Sequence, residues 1–251
     1  MNMVSFMKTL IKLLLCFTIL GIAACKPSTE SHSIKFATSA EYPPFEYNVN
    51  GELRGFDIDL AKLIAKELGK EAIFEDMQFS TILPALQNNH VDAAIATITV
   101  TPERKQHFDF SQIYYFDAIA AVYKKTQPIN SKADLASKKI TCQLGTTMEI
   151  WLKRNSFTNH IIAMDNNNQL IEALKADHVE VAIMDRAQAH LFSQNNPHLA
   201  YQVIEQSEDG YAVVTQKGAP LLAQINQAIE KLKQQGEIAK LEEKWLKGDL
   251  P

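Results

Sequence analysis

Hydrophobic residues along this chain change their spacing from one segment to the next, and these changes predict alternating strands and helices. Leu60, Ile64 and Leu68 recur at helical spacing, with Asp57 in the predicted first turn. Val91–Ile98 is instead a continuous apolar run, which is typical of a strand buried on both faces of a sheet. Strand–helix–strand units of this length favour parallel pairing, so the pattern indicates an α/β protein.

The other predicted elements repeat this alternation in both halves of the chain. Strands are predicted at residues 34–39, 72–74, 140–143, 161–164, 179–184 and 211–215. Helices are predicted at residues 56–68, 80–87, 147–155, 167–175 and 186–193, and two more follow residue 220, separated near Gly236. Ser131 and Asp134 have the spacing of a capping box that opens a short helix. The sequence therefore predicts two α/β sheets followed by a helical segment.

The N-terminal segment follows a different pattern. Lys8 and Lys12 stand at the start of the apolar run Leu13–Ile22, which is shorter than the roughly 20 residues of a transmembrane helix. A positive segment, a short apolar segment and then small residues predict a secretory signal peptide.

Residues 22–25 (IAAC) resemble the bacterial lipobox. This resemblance implies that residues 1–24 are removed as a lipoprotein signal peptide and that Cys25 carries a lipid anchor in the cell envelope. The alternative is a plain signal peptide that contains a cysteine. Residues 25–33 are polar and without periodicity, so they are predicted to form a tether.

The composition is that of an ordinary globular protein. Of 251 residues, 46% are hydrophobic and 22% are charged, which argues against a disordered chain. The net charge is −4 and no long basic run is present, so the sequence gives no sign of nucleic-acid binding. The 7 histidines are dispersed, without a pair at metal-binding spacing, and neither a metal nor another cofactor is expected.

The cysteines predict no intramolecular disulfide. Cys16 would be removed with the signal peptide, and Cys25 would carry the lipid. Cys142 follows Ile140-Thr141 in a predicted strand and is interpreted as a small buried residue rather than a nucleophile.

Several motifs, taken in their order along the chain, resemble one protein family. They are residues 42–61 (YPPFEYNVNGELRGFDIDLA), 79–86 (FSTILPAL), 91–104 (VDAAIATITVTPER), 109–115 (DFSQIYY), 144–147 (LGTT) and 181–185 (VAIMD). This set is similar to the family 3 solute-binding proteins, which bind polar and basic amino acids for ABC importers. The resemblance implies a monomeric periplasmic binding protein, not an enzyme, that delivers a free amino acid to an ABC permease in the inner membrane.

The same resemblance implies the two-lobed, type II periplasmic binding protein fold of the α/β class. Each lobe is expected to contain a mainly parallel sheet flanked by helices, with the ligand enclosed between the lobes. Lobe 1 is expected to comprise residues 34–117 and 216–251, and lobe 2 residues 118–215. Two hinge strands are expected near Ala118–Tyr123 and Tyr211–Thr215.

A free amino acid presents a carboxylate and an ammonium on adjacent atoms, so its site needs opposite charges close together. Thr101 and Pro102 form a helix-start signal just before Arg104. A guanidinium beside a helix N-terminus can hold a carboxylate with two charge-assisted hydrogen bonds. The alternative is a surface arginine paired with Glu103 or Asp109, and the family resemblance favours the carboxylate role.

The resemblance assigns further ligand contacts to polar residues at strand and helix ends. Thr99 and Thr147 are expected to help bind the carboxylate. The Thr97 carbonyl is expected to accept from the ammonium, and Asp185 to pair with it. Ligands of open α/β sheets lie beyond the carboxyl ends of strands, where these residues fall. From the sequence alone, the threonines can equally be strand formers, and Thr147 and Asp185 ordinary helix caps.

Tyr42 and Phe79 resemble the aromatic walls that enclose the ligand side chain, although Phe79 can equally belong to the core. Ser39 stands where several relatives have an aspartate, and a serine cannot neutralise a cation. Aromatic walls can still hold a guanidinium by cation–π contact, so arginine is the favoured ligand, with glutamine, histidine and lysine as alternatives. Three acids that could add charge are expected to be solvated at the surface: Glu41, Glu46 and Asp76.

Two other functions are consistent with the same fold. Periplasmic cyclohexadienyl or arogenate dehydratases share it and need a general acid, for which Glu149 and His160 are the nearest candidates. Neither residue belongs to a recognised catalytic motif. The third hypothesis is a signalling or adhesive lipoprotein that keeps the binding fold.

Overall fold

The computed structural model of the protein describes residues 32–157 and 159–246. The predicted signal peptide, Cys25 and most of the predicted tether lie outside the described residues. Within them, no helix has the length and apolar character needed to cross a membrane.

The strands alternate with helices along most of the described chain. Numbered in chain order, the strands are β1 (Ser33–Thr38), β2 (Glu41–Tyr42), β3 (Glu46–Val49), β4 (Glu52–Arg54), β5 (Glu71–Asp76), β6 (Ala93–Ala94), β7 (Phe108–Phe110), β8 (Ala118–Lys124), β9 (Ile140–Gln143), β10 (Ile161–Met164), β11 (Val181–Asp185), β12 (Leu199–Gln206) and β13 (Val214–Gln216). The helices are α1 (Phe56–Glu67), α2 (Phe79–Gln87), α3 (Pro102–His107), α4 (Thr147–Asn155), α5 (Asn167–Lys175), α6 (Arg186–Asn195), α7 (Leu221–Gln234) and α8 (Glu237–Trp245). A short 3-10 helix, Lys132–Leu135, begins with the predicted capping box of Ser131 and Asp134.

The two main sheets have the same topology. The first is ordered β5-β1-β6-β13-β7, and the second is ordered β10-β9-β11-β8-β12. In each sheet one strand, β13 or β8, runs opposite to the other four. The reversed strand is in both cases the one that enters from the other sheet. The expected pair of mainly parallel sheets is therefore confirmed, and with it the two-lobed α/β architecture.

Each sheet is covered on both faces, as the apolar strand patterns predict. Along β1, Phe36 packs into the cluster that includes α1, α7 and α8, whereas the next residue, Ala37, packs against α2 on the other face. Along β8, Ala121 and Val122 likewise enter two different clusters of the second lobe. Cys142 in β9 is fully buried, as the sequence predicted, and burial raises the pKa of its thiol to about 12.

A small antiparallel sheet, β2-β3-β4, precedes α1 and was not predicted. It ends at Gly55, whose φ of 127° lies in a region that favours glycine. A Cβ atom at Gly55 would lie 2.0 Å from the Phe45 carbonyl oxygen, so only glycine fits here. This close approach lets the Asp57 amide donate to Phe45 O at 2.9 Å and holds β3 against the start of α1.

Two predicted strands are shorter than expected. The run Val91–Ile98 contributes only Ala93–Ala94 to the first sheet, because Thr97 has a left-handed backbone that ends the extended conformation. The predicted strand 211–215 is replaced by Val214–Gln216, while Tyr211 makes isolated bridges to Thr99 and Tyr115.

The segments that link the two sheets lie a few residues before the predicted hinge strands, and the second of them overlaps the predicted 211–215. Ala118–Lys124 is paired on both sides within the second sheet and Val214–Gln216 is paired within the first, so neither strand connects the lobes. The segments that do connect them are residues 111–117 and 207–213. The periodicity of the sequence did not reveal these connecting segments, because each of them is flanked directly by strands. The strands β7 and β12 were also missed; β7 has only three residues, whereas β12 has eight and mixes apolar with polar residues.

Candidate functional site

A small cavity lies between the lobes, and seven of the eight predicted ligand-binding residues line it. Those seven are Tyr42, Phe79, Thr97, Thr99, Arg104, Thr147 and Asp185. Three further lining residues were missed by the sequence prediction: Gln143, Thr146 and Met148. Gln143 ends β9, so the rule that ligand sites lie at the carboxyl ends of strands could have found it.

Arg104 is a buried cation that has no anionic partner among the described residues. It is 8% exposed, and its guanidinium donates to Thr99 O at 2.8 Å and to Gly145 O at 3.0 Å. The surface pairs proposed as an alternative do not form, because Glu103 pairs with Arg154 and Asp109 with Lys217. Burial lowers the pKa of Arg104 to about 10, which leaves it charged at neutral pH. A buried guanidinium without a carboxylate is suited to an anionic ligand group.

Two helix starts face this guanidinium from opposite lobes. Thr101 caps α3 by accepting a hydrogen bond from the Arg104 amide at 3.1 Å. Thr146 caps α4, so that Thr147 is the first residue of that helix and its hydroxyl lies 3.4 Å from the Thr99 hydroxyl. The cap of α4 is therefore Thr146, and Thr147 remains available to the cavity.

Asp185 supplies the negative charge on the second lobe. It ends β11, is 8% exposed and accepts a hydrogen bond from the Tyr42 hydroxyl of the first lobe. It stands at the cap position of α6 but makes no capping bond, because Asp117 accepts from the Ala187 amide instead. Burial, and then the nearby Asp117 carboxylate, raise the pKa of Asp185 to about 7. A cationic group placed beside Asp185 would favour its ionised form.

Thr97 and Phe79 complete the first-lobe wall of the cavity. Thr97 is 7% exposed and has φ 48°, and its amide donates to Asp57 Oδ2 at 2.8 Å. Phe79 begins α2, and the Arg104 guanidinium lies 6.0 Å from the centre of its ring. Phe79 therefore lies at the cavity and is only partly buried, rather than belonging fully to the core.

Ser39 is the predicted residue that lies outside this cavity. It lines a second cavity, together with residues of both lobes. That cavity contains three carboxylate side chains and several amides: Glu41, Asp76, Asp165, Gln78, Asn166 and Gln169. Glu41 directly precedes Tyr42, and Gln78 directly precedes Phe79, so residues of the acidic cavity are chain neighbours of the two aromatic residues of the first one.

Of the three acids expected at the surface, one is not there. Glu41 and Asp76 are exposed, as predicted, but Glu46 is only 1% exposed and lies beneath the cavity. The alternation of β3 places it on the inner face of the small sheet, which the sequence pattern around two prolines did not reveal.

Two direct contacts between the lobes flank the cavity. Arg154 on α4 forms an ion pair with Glu103 on α3. Gln188 on α6 donates a hydrogen bond to the Pro43 carbonyl. The loop at Gly145 also approaches the start of α2 closely, since a Cβ atom there would lie 3.3 Å from Ser80 Cα. The described conformation is therefore a closed one.

One of the two candidate acids of the enzyme hypothesis, Glu149, has the wrong chemistry for that role. Although partial burial acts to raise the pKa of Glu149, hydrogen bonds from Lys153 and the Gly145 amide leave that pKa below its usual value. A general acid at neutral pH needs a raised pKa. In residues 32–157 and 159–246, no cluster of three or more His, Cys, Asp or Glu side chains is arranged to hold a metal ion.

The fold, the cleft between two lobes and the paired opposite charges define a solute-binding protein. The chain matches the family of bacterial extracellular solute-binding proteins, family 3, over residues 34–248, and it belongs to that family. The resemblance noted in the sequence is thereby confirmed. The family is named for solute binding, which also confirms the expectation of a binding protein rather than an enzyme.

Relatives with known names lie within this family. The arginine-binding extracellular protein ArtP of Bacillus subtilis is 34% identical over 244 residues, covering 93% of this chain and 95% of that protein. The structure of an ancestral arginine-binding protein bound to arginine is 37% identical, with a TM-score of 0.81, covering 86% of this chain and 98% of that one. An ancestral arginine-binding protein bound to glutamine is 38% identical, with a TM-score of 0.82 over 86% and 98% of the two chains.

Proposed function

We propose that this protein captures a free basic amino acid, arginine in preference to others, between its two lobes and presents it to an ABC-type importer. The proposal rests above all on one observation, the buried and unpaired Arg104 guanidinium that shares a cavity with the buried Asp185 carboxylate. These two groups come from different lobes, so a zwitterion bound by both would hold the lobes together.

The charge pattern of the cavity fits the common part of every amino acid. The ligand carboxylate would take the place of the carbonyl groups that now accept from Arg104, with Thr99 and Thr147 beside it. The ammonium would pair with Asp185, with the Thr97 carbonyl as a second acceptor. Charge-assisted hydrogen bonds of this kind are about twice as strong as neutral ones, and this strength favours a charged amino acid terminus over a neutral solute.

The acidic cavity lined by Ser39 favours a ligand whose side chain is cationic. A ligand side chain that passes between Tyr42 and Phe79 would reach toward Asp76 and Asp165, which face this cavity from opposite lobes. Ser39 can donate or accept a hydrogen bond there, while the carboxylates supply the charge that serine lacks. ArtP of Bacillus subtilis is named as an arginine-binding protein, and an ancestral arginine-binding protein has been solved with arginine bound, which further favours arginine.

Lobe closure would link ligand binding to transport. Residues 111–117 and 207–213 are the segments about which the lobes would move, and Tyr115 and Tyr211 pair them side by side. A ligand that contacts both lobes shifts the population from open to closed, and the permease can then distinguish a loaded from an empty protein. We further propose that the protein acts as a monomer held at the membrane by a lipid on Cys25.

The carboxylate role of Arg104 can be tested by calorimetry with the twenty common amino acids. Arg104→Ala is expected to weaken binding of the best ligand about 100-fold or more, since two hydrogen bonds to a charged group are lost. Lys105→Ala changes an exposed neighbour on the same helix and serves as the control, with affinity unchanged. Binding by Arg104→Ala at near wild-type affinity, with an unchanged unfolding temperature, would contradict the proposal.

The preference for a cationic side chain can be tested with L-citrulline, the neutral isostere of L-arginine. Arginine is expected to bind at least about tenfold more tightly, because only arginine brings a positive charge to the acidic cavity. Asp76→Asn should narrow this difference while leaving the fold intact. Equal affinity for the two ligands in the wild-type protein would exclude a charge-selective site.

The lipid anchor can be tested in bacterial cells by labelling with a radioactive fatty acid. Wild-type protein is expected to be labelled and to sediment with membranes, whereas Cys25→Ser should be unlabelled. Cys16→Ser is the matched control and should be labelled normally. Label that persists in Cys25→Ser would show that the lipobox interpretation is wrong.

A further inference from the structure

Two buried carboxyl groups, those of Glu46 and Asp57, lie beneath the cavity and do not line it. Glu46 is 1% exposed and Asp57 is fully buried, and in the described part of the chain neither has a cationic partner. The two groups influence each other, since the Asp57 carboxylate acts to raise the pKa of Glu46, and a hydrogen bond with Glu46 acts to lower the pKa of Asp57. Two such groups without a cation are costly to bury, so their presence calls for a physical explanation.

Two backbone hydrogen bonds bring the segments that carry these carboxyl groups together. The Phe56 amide donates to Pro44 O at 3.0 Å and the Asp57 amide to Phe45 O at 2.9 Å, which places Glu46 against the first turn of α1. The first turn of a helix favours a negative charge, so Asp57 is the better placed of the two to be ionised.

The hydrogen bonds of the pair leave room for one shared proton. Asp57 Oδ2 accepts from the Thr97 amide at 2.8 Å and from the Tyr114 hydroxyl at 2.8 Å. Asp57 Oδ1 and Glu46 Oε2 are both buried, and neither atom has a hydrogen-bond partner among the described residues. A single proton on Glu46, donated to Asp57, supplies the missing donor.

The charges around the pair favour this proton. Burial raises the pKa of Glu46 well above its usual range, and the carboxylates of Asp57, Asp185 and Asp76 add to this effect. Burial also raises the pKa of Asp57, to about 7, although the hydrogen bonds it accepts act to lower it. Tyr114 is the other titratable group that faces Asp57, and it remains a neutral donor at physiological pH.

Thr97 links the pair to the cavity, because it is hydrogen-bonded to Asp57 and also lines the cavity. Its left-handed φ of 48° is uncommon for a β-branched residue and is unfavourable unless its surroundings fix it. Its hydroxyl donates to the Ala96 carbonyl at 2.8 Å, so the hydrogen bond to Asp57 is the one that holds its amide.

We propose that Glu46 and Asp57 form a proton-sharing pair that positions Thr97 for ligand binding. Glu46 donates its proton to Asp57, and the Asp57 carboxylate fixes the Thr97 amide, which orients the Thr97 carbonyl toward the ligand ammonium. The pair sets the affinity of the site without touching the ligand. This inference rests on the proposed function, since it requires that an amino acid bind against Thr97.

The decisive experiment measures L-arginine affinity by calorimetry in four variants of the full chain. Asp57→Ala removes the acceptor of the Thr97 amide and is expected to lose at least about tenfold in affinity. Asp57→Asn keeps an amide oxygen for Thr97 and should recover part of the loss. Glu46→Gln keeps a donor for Asp57 and should therefore lose less affinity than Asp57→Ala. Tyr114→Phe removes the other hydrogen bond to the same Asp57 oxygen and is the matched control, within about threefold of wild type.

A second measurement separates positioning from a general loss of stability. The amide proton resonance of Thr97 reports its hydrogen bond to Asp57, and it is expected to move in Asp57→Asn but not in Tyr114→Phe. If Asp57→Ala does not fold, a larger affinity loss in Asp57→Asn than in Tyr114→Phe, with this shift, supports the proposal.

The outcomes distinguish the two hypotheses. If the wild-type protein binds no amino acid, the proposed function is wrong and this inference falls with it. If the wild-type protein binds arginine and the Asp57 variants bind it equally well, only the inference is overturned. Equal losses in Tyr114→Phe and Asp57→Asn would likewise overturn it, because affinity would then follow stability rather than the position of Thr97.

Discussion

The Asp185 carboxyl group shows how strongly position changes the chemistry of a single side chain. On the chain it is an ordinary acid that ends an apolar run, with a usual pKa near 4. In the closed structure it is buried, accepts from the Tyr42 hydroxyl and lies near Asp117, and its pKa is raised to about 7. Its charge at neutral pH therefore depends on what lies beside it.

We expect ligand affinity to rise with pH between about 6 and 8 in the wild-type protein. A raised pKa means that Asp185 is mostly protonated below pH 7, and a ligand ammonium binds best to its ionised form, so binding strengthens as pH passes through 7. The gain should approach tenfold for each pH unit below 7 and level off above it.

Calorimetry across this pH range, in buffers with different ionisation enthalpies, would measure the affinity and the proton released on binding. Asp185→Asn is the control, because the amide does not titrate and both effects should disappear. A wild-type affinity that stays constant from pH 6 to 8 would contradict an ion pair between Asp185 and the ligand.

At the scale of elements, the hairpin β3-β4 and helix α1 depend on one close backbone contact. Gly55 lies between β4 and α1, with φ 127° and with Phe45 O only 2.0 Å from the position of a Cβ atom. The first residues of α1 form the wall behind the cavity, so this contact also sets the position of Asp57.

Gly55→Ala is expected to destabilise the protein by about 3 kcal/mol or more, because a side chain there brings both a steric overlap and an unfavourable φ. Urea denaturation would measure the change in the free energy of unfolding. Gly51→Ala is the matched control: Gly51 also has a positive φ, 87°, but no atom lies within 4 Å of a Cβ there, and a cost of about 1 kcal/mol is expected. Similar costs for both variants would show that the contact with Phe45 is unimportant.

At the scale of the whole molecule, two lobes of equal topology are held closed by few direct contacts. Besides the contacts that line the cavity, the Glu103–Arg154 ion pair and the hydrogen bond from Gln188 to Pro43 link lobe to lobe. Both charged side chains of the ion pair are more than half exposed, which limits its strength. We therefore expect closure to depend mainly on the proposed ligand.

Arg154→Ala is expected to weaken arginine binding only about two- to fivefold, since an exposed ion pair contributes about 0.2–1 kcal/mol. The effect should shrink at high salt, where exposed charges are screened. Lys244→Ala removes an exposed ion pair with Asp59 inside the first lobe and should leave affinity unchanged. A hundredfold loss in Arg154→Ala would show that the ion pair, rather than the ligand, holds the lobes together.

The sequence predicted those features that depend on local periodicity and on short motifs. The spacing of Leu60 and Ile64 fixed helix α1, and the apolar runs fixed two sheets covered on both faces. The helix-start signal before Arg104 placed it beside a helix N-terminus, where the structure has it. The family resemblance added Thr147 and Asp185, which the structure brings to the same cavity.

Tertiary structure alone decided which polar groups are buried and which residues meet. Glu46 was expected at the surface and is buried against Asp57, while Ser39 opens into the neighbouring acidic cavity rather than the first one. The left-handed backbone of Thr97, which ends the predicted strand, depends on a carboxylate 40 residues away in the sequence. Periodicity reports how a segment divides between core and solvent, but the burial of one charged group depends on partners that only the folded chain brings within reach.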